Sequence, residues 1–128
     1  MKPEIQVKVL SFGYKYGLPA EASIIFDMRF LPNPYWVEEL RDHNGLEPEV
    51  AEYVMSSGEG EIFLRQAETL LSWMLPGYAK KGISQIVIGV GCTGGQHRSV
   101  AMAHALAERL AKAGCAVTEE HRELSLHG

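Results

Sequence analysis

One strand–loop–helix unit constrains this chain more than anything else in it. Ile86-Val87-Ile88-Gly89-Val90 is an apolar run of strand length, and the glycine-rich segment Cys92-Thr93-Gly94-Gly95-Gln96-His97-Arg98-Ser99 follows it directly. From Ser99 a helical pattern continues to Ala113, where Gly114 supplies the stop. A strand over 85–91 feeding a helix over 99–113 belongs to an α/β layer structure with a mostly parallel sheet. The same unit delivers several backbone N–H groups to a helix N-terminus, where the dipole adds partial positive charge. Arg98 contributes a rigid cationic fork that matches phosphate oxygens. The loop therefore predicts an anion site, with phosphate as its best-fitting occupant.

The rest of the chain reads as further α/β elements. Residues 5–10 alternate apolar and polar side chains as a first strand, which runs into the loop Ser11-Phe12-Gly13-Tyr14-Lys15-Tyr16-Gly17. Residues 23–29 form a second strand, apolar enough to be buried on both faces. Leu31-Pro32-Asn33-Pro34 is extended, because each proline disfavours helix in the residue before it. A short helix is predicted over 35–41, ending near Asn44-Gly45, and another over 48–56 with Pro48 in its first turn. Ile62, Phe63, Ala67, Leu70, Leu71, Met74 and Leu75 mark a long amphipathic helix over 60–81, with Pro76-Gly77 as its point of interruption. A short strand over 115–118 completes the set. The fold class is α/β, a mostly parallel sheet of about four strands flanked by helices. A length of 128 residues suits one domain over 1–128.

Composition narrows the functional classes. No apolar run approaches the roughly 20 residues that cross a bilayer, and Met1-Lys2-Pro3-Glu4 does not begin a signal peptide. Cys92 and Cys115 do not make a disulfide framework, so a reducing cytoplasm is the expected location. The net charge of −4 argues against broad attraction to nucleic acid or to an anionic membrane. No histidine spacing with either cysteine reads as a metal site, and neither a metal nor another cofactor is expected.

Three motifs compete for the glycine-rich loop. Gly89-Val90-Gly91-Cys92-Thr93-Gly94 fits the dinucleotide pattern G-x-G-x-x-G, yet too few strands follow it for a full mononucleotide-binding half. A Walker A loop is excluded, because no Gly-Lys-Ser or Gly-Lys-Thr occurs. Cys92, Arg98 and Ser99 match the C-x5-R-S/T loop of cysteine-dependent phosphatases, in which a thiolate attacks phosphorus and arginine holds its oxygens. That chemistry also needs a general acid, for which Asp27 and Asp42 are the candidates. Neither lies in a recognisable acid loop, and Gly91 stands where those phosphatases carry histidine. The plainer reading is a loop that holds an anion without cleaving it, with Cys92 packed at the strand end.

Three segments, taken together, resemble one family. They are Ser11-Phe12-Gly13-Tyr14-Lys15-Tyr16-Gly17, Phe26-Asp27-Met28-Arg29-Phe30-Leu31-Pro32-Asn33-Pro34 and Gly91-Cys92-Thr93-Gly94-Gly95-Gln96-His97-Arg98-Ser99-Val100, with His121-Arg122-Glu123-Leu124 near the end. The chain resembles the C-terminal domain of the RapZ family of bacterial RNase adapter proteins, also described as YvcJ-like nucleotide-binding proteins. The resemblance runs from about Glu4 to Leu124. It implies a regulatory sensor that binds glucosamine-6-phosphate and a small regulatory RNA, self-associates, and works with a protein partner in RNA regulation. Family members carry an N-terminal P-loop domain that this sequence lacks. By position, Cys92, Thr93, Gly94, Gly95, Gln96, His97, Arg98 and Ser99 would hold the phosphate, while Lys15, Asp27, Arg29 and Asn33 would form the sugar side of the pocket.

Two features weigh on that transfer. RNA-binding members tend to end in a basic tail, whereas residues 119–128 here hold more acidic than basic side chains, which opposes phosphate neutralisation. Asp27 and Arg29 alternate along their strand, so an ion pair between them competes with a role in the pocket. Trp36 and Trp73 read as helix-packing residues, and His104 as a packing residue within its helix. The sequence thus leaves three functions: a phosphometabolite-binding sensor, a phosphatase using Cys92, Arg98 and Asp27, and an RNA-binding adapter module.

Overall fold

The computed structural model describes residues 5–127. Four strands form one sheet: β1 (Gln6–Gly13), β2 (Ile24–Asp27), β3 (Gln85–Cys92) and β4 (Ala116–His121). Their order is β2-β3-β1-β4, and all three pairings are parallel. β1 and β3 pair along their full lengths, from Gln6 beside Gln85 to Gly13 beside Cys92. These two central strands have identical burial profiles and become fully buried towards their carboxyl ends. The helices are α1 (Glu38–Arg41), α2 (Pro48–Met55), α3 (Glu59–Lys80), α4 (Arg98–Lys112) and α5 (Arg122–His127).

The main core lies between one face of the sheet and α2, α3 and α4. Val7, Val9, Ile86, Ile88 and Val90 meet Val54, Leu71, Met102 and Leu106 there, all essentially sealed from water. The two-residue period of the strands puts Leu10 and Phe12 on the opposite face, where Phe12 lies against Gly89 and Gly91. Pro19, in the connection after β1, also approaches Gly89 on that face, while the helix after β3 covers the other. The connections from neighbouring strands β1 and β3 therefore leave on opposite sides. Their carboxyl ends open the kind of crevice in which α/β sheets hold ligands.

Several expectations needed correction. β2 is an edge strand whose residues alternate between half-buried and exposed, so it is not buried on both faces. α3 runs through Pro76 without a break. Proline there removes the hydrogen bond to the carbonyl of Ser72, an exposed residue whose oxygen water can serve. The buried line of α3 is Gly60, Leu64, Ala67, Leu71 and Leu75, whereas Ile62 and Leu70 lie exposed. Trp36 and Trp73 are 76% and 67% exposed, so neither packs a helix interface in this chain. β4 is longer than predicted and passes directly into α5, a helix the sequence reading missed.

Charge fastens α4 to the edge strand β4. Glu119 takes hydrogen bonds from both sides: His104 Nδ1 of α4 lies 2.9 Å from its Oε2, and His121 Nε2 lies 2.6 Å away. Burial pushes the Glu119 carboxyl up, but the bonds from His121 and His104 outweigh it and hold the group below its ordinary value. A depressed carboxyl contributes stability above its unfolded value and loses it as pH falls through the folded one. Glu119→Gln should therefore lower Tm at neutral pH, and the gap to the parent should close as pH drops below about 4.5. A gap that widens on acidification would contradict the clamp. In the core, Leu106→Ala should cost about 2–5 kcal/mol in urea unfolding, read as a lower midpoint at unchanged slope.

Candidate functional site

β3 ends at Cys92, and α4 starts at Arg98. Between them the chain turns on Gly95, whose φ of +76° is a left-handed conformation that side chains disfavour. His97 precedes α4 in a non-helical conformation and gives it no side-chain cap. The amides of Gly94, Gly95, Gln96 and His97 donate to no acceptor among the described residues. Uncapped helix amides need a partner, and an anion is the natural one.

Two glycines elsewhere in the chain bring other segments against this loop. A Cβ on Gly13 would lie 2.5 Å from the carbonyl carbon of Gly94, so only glycine lets the end of β1 touch the loop. A Cβ on Gly45 would lie 2.5 Å from the amide nitrogen of Ala101, and Gly45 N–H donates to the Gln96 carbonyl at 2.8 Å. Behind the loop stands Glu123 of α5, fully buried, whose Oε2 accepts from Gly13 N–H at 2.9 Å and from Arg122 Nη2 at 2.7 Å.

Arg98 is 6% exposed. Its Nη1 donates to the Arg29 carbonyl at 2.8 Å, and Nη2 lies 3.5 Å from Thr93 Oγ1. Nε makes no hydrogen bond among the described residues, and no carboxylate pairs with the guanidinium there. A buried arginine with no carboxylate in contact is a costly arrangement that an anion would relieve. Beside it, Cys92 Sγ contacts Ser99 Oγ at 3.2 Å and accepts from Ser99 N–H at 3.3 Å.

A cleft of about 590 Å³ opens over this loop. Cys92, Thr93, Gly94, Gln96, His97 and Arg98 line one wall. Lys15 and Tyr16 enter from the turn after β1, while Asn33, Tyr35, Trp36, Arg41 and Asp42 come from the segment after β2. His97 Nε2 lies 3.0 Å from the Arg41 carbonyl and ties the two walls together. Among the proposed phosphate residues, Gly95 and the fully buried Ser99 stand behind the lining and shape it.

The proposed sugar-side residues divide. Lys15 and Asn33 face the cleft. Asn33 Oδ1 also accepts from Tyr35 N–H at 3.1 Å, which forms the 3-10 turn Pro34–Trp36. Asp27 and Arg29 are outside the lining and grip each other, with Arg29 Nη2 at 2.7 Å and Nε at 2.9 Å from the carboxylate. Hydrogen bonds from Arg29 hold the Asp27 carboxyl below its usual range. Arg29 also covers the Tyr14 ring at 3.9 Å. β2 ends at Asp27, so strand alternation does not carry both side chains towards the cleft. Arg29 serves the site through its carbonyl oxygen.

The sequence reading missed Tyr16, Tyr35, Trp36 and Arg41 as cleft residues, and Glu123 as the support beneath the loop. Tyr16 sits within, and Tyr35 and Trp36 directly after, the segments singled out as motifs, which was the available signal; Arg41 lies seven positions beyond them. Glu123 lies in the segment His121-Arg122-Glu123-Leu124 that shares in the resemblance, but its contact with Gly13 spans 110 positions, so nothing local showed its role.

The geometry also bears on the competing motifs. Gly89 and Gly91 lie inside β3, not in the loop, so the dinucleotide pattern has its first two glycines in the wrong structure. A Cβ on Gly91 would lie 2.5 Å from the Phe12 ring, which leaves no room for the histidine of the phosphatase pattern. His43, Glu47 and Glu49 are the grouping with metal-ligand distances among the described residues, but they lie outside the cleft lining. In that trio His43 Nδ1 already pairs with Glu47 at 2.6 Å.

Fold and site together define an α/β protein with a strand–loop–helix cleft, lined by unpartnered hydrogen-bond donors, at the carboxyl edge of a parallel sheet. The sequence model of the RapZ C-terminal domain matches residues 5–125, and the chain belongs to that family. No helix among the described residues is long and apolar enough to cross a membrane.

The two loop glycines allow a direct check on the turn. Gly95→Ala should destabilise the fold by more than the ~1–2 kcal/mol of a left-handed alanine, because the new Cβ also meets Glu123 Cγ and Gly13 N. Gly94→Ala meets nothing within 4 Å and should unfold within about 1 kcal/mol of the parent. Equal losses for the two variants in urea titrations would contradict this geometry.

Proposed function

We propose that this chain is a regulatory domain that binds a phosphorylated sugar, glucosamine-6-phosphate or a close relative, and acts by binding instead of turnover. The observation that carries the reading is the buried, carboxylate-free Arg98 beside the unpartnered amides of Gly94 to His97 at an uncapped helix start. These donors suit a phosphate monoester, and Lys15 adds a further cation on the facing wall. Asp42 is the one carboxylate among the cleft-lining residues described, and its charge suits the ammonium of an amino sugar. Membership in the RapZ C-terminal domain family supports a regulatory or adapter role. An RNA partner has the overall charge of −4 against it and draws its support from the family resemblance.

A phosphatase is the second reading, favoured by the Cys92–Ser99 contact at 3.2 Å. Asp27 weakens it, because a carboxyl held ionised by Arg29 is a poor proton donor. Asp42 remains as the acid that lines the cleft.

Calorimetry with glucosamine-6-phosphate, glucosamine and inorganic phosphate tests the proposal. The phosphorylated sugar should bind and free glucosamine should not. Arg98→Ala should weaken binding by about 30-fold or more, as expected when one partner of a buried charged contact is removed. Arg98→Lys should recover little, because a lysine offers a point charge and not a fork. Binding that survives Arg98→Ala unchanged would sink the reading. Steady release of phosphate from an aryl phosphate, abolished by Cys92→Ser, would replace it with the phosphatase.

A further inference from the structure

The phosphate loop, Lys15 and Asp42 account for part of the cleft and leave its aromatic side unexplained. On that side Trp36 exposes 76% of its surface, although tryptophan is on average a well-buried residue. Its aromatic neighbour Tyr35 meets it edge-on, with centroids 5.3 Å apart and planes at 71°. No ring among the described residues stacks on the faces of the indole. The other cleft aromatics are engaged: Tyr16 stacks on His127 at 3.9 Å, and Tyr35 carries the Arg41 guanidinium at 5.1 Å.

The backbone beneath Trp36 is fixed. Trp36 N–H donates to the Asn33 carbonyl at 3.2 Å, and Arg41 Nε donates to the Tyr35 carbonyl at 2.8 Å. The same segment reaches the phosphate loop through His97 and the Arg41 carbonyl, and again through Gly45 and Gln96. An open indole is thus held in a set relation to an anion grip. Such a surface recognises flat rings, because stacking on an aromatic side chain is favourable for every nucleobase. The cleft volume of about 590 Å³ lies within the range of pockets that enclose ligands of drug size.

We propose that the cleft also takes sugar phosphates carrying a planar base, that is nucleoside 5′-monophosphates, with the phosphate on the Gly94–Arg98 loop and the base stacked on Trp36. This rests on the phosphate-loop reading above and adds a ring-stacking subsite to it. Because both ligand classes use the same loop, a nucleoside monophosphate and glucosamine-6-phosphate exclude each other.

The test compares AMP, ribose 5-phosphate and adenosine by calorimetry on the full chain. Trp73→Phe leaves Trp36 as the sole tryptophan, so its fluorescence reports binding at that ring. AMP should bind about tenfold or more tighter than ribose 5-phosphate and quench Trp36. Trp36→Ala should bring the two affinities within about twofold of each other, and Trp36→Phe should keep part of the preference. AMP should also displace glucosamine-6-phosphate competitively. Equal binding of AMP and ribose 5-phosphate to the parent would overturn the stacking subsite and leave the phosphate loop standing. An equal loss of both ligands in Trp36→Ala would do the same. Failure of both ligands to bind at all would overturn the subsite and the phosphate-loop reading together.

Discussion

The carboxylate of Glu123 is the contact on which the geometry of the site depends. It is fully buried, receives Gly13 N–H at 2.9 Å and Arg122 Nη2 at 2.7 Å, and leaves its second oxygen without a hydrogen bond, 3.5 Å from His127 Nε2. A charge taken out of water at this depth is tolerated only with close partners. What the arrangement achieves is the meeting of three backbone segments: the end of β1, the turn at Gly95 and the start of α5. Glycine at 13 and at 95 lets the chains touch, and the carboxylate occupies the amide that the touching strand end exposes. Without that acceptor Gly13 N–H would be buried and unpaired, which costs about 1–3 kcal/mol.

Much of the fold was legible because its central unit is local. β3, the loop and α4 are contiguous, and each announces itself by spacing or composition alone. The errors share a cause: they concern position in the sheet or partners far along the chain. Ile24–Asp27 is apolar enough for a central strand, yet its one neighbour is β3, some sixty positions away, and no strand among the described residues pairs on its other side. Glu119-Glu120-His121-Arg122-Glu123 reads in the sequence as an acidic end that opposes RNA binding. In the structure Glu119 and His121 belong to β4, Arg122 and Glu123 open α5, and Lys8 pairs with Glu120 at 2.8 Å. Glu119, Glu120 and Glu123 find their partners on β1 and α4, earlier in the chain.

The site was legible in its chemistry and less so in its directions. The glycine-rich loop and Arg98 fall where the sequence placed them. Asp27 and Arg29 illustrate the limit, since alternation predicts a shared face only while the strand continues. The strand stops at Asp27; Arg29 N–H then turns back to the Asp27 carboxylate at 2.9 Å, and the two side chains close on each other. Trp36 shows the converse: a large aromatic in a predicted helix is expected inside. The prolines at 32 and 34 instead set a 3-10 turn that leaves the indole on the cleft wall.

Preorganisation of the loop fits the proposed role of binding without turnover. The loop is gripped from two sides before any ligand arrives, by Gly13 and Glu123 beneath it and by Gly45 and Arg41 beside it. Little ordering remains to be done on binding, so more of the contact energy appears as affinity. The same grips define where a change in the loop is felt first. Gln96 reaches the carbonyl of His127 at 3.5 Å, and His127 stacks on Tyr16 from the opposite side of the cleft mouth. His97 reaches Arg41, whose guanidinium covers Tyr35 next to Trp36. Under the proposed function, an occupied loop would therefore be linked to α5 and to the 34–45 segment at once. Those are the elements through which occupancy of the cleft can be displayed on the surface.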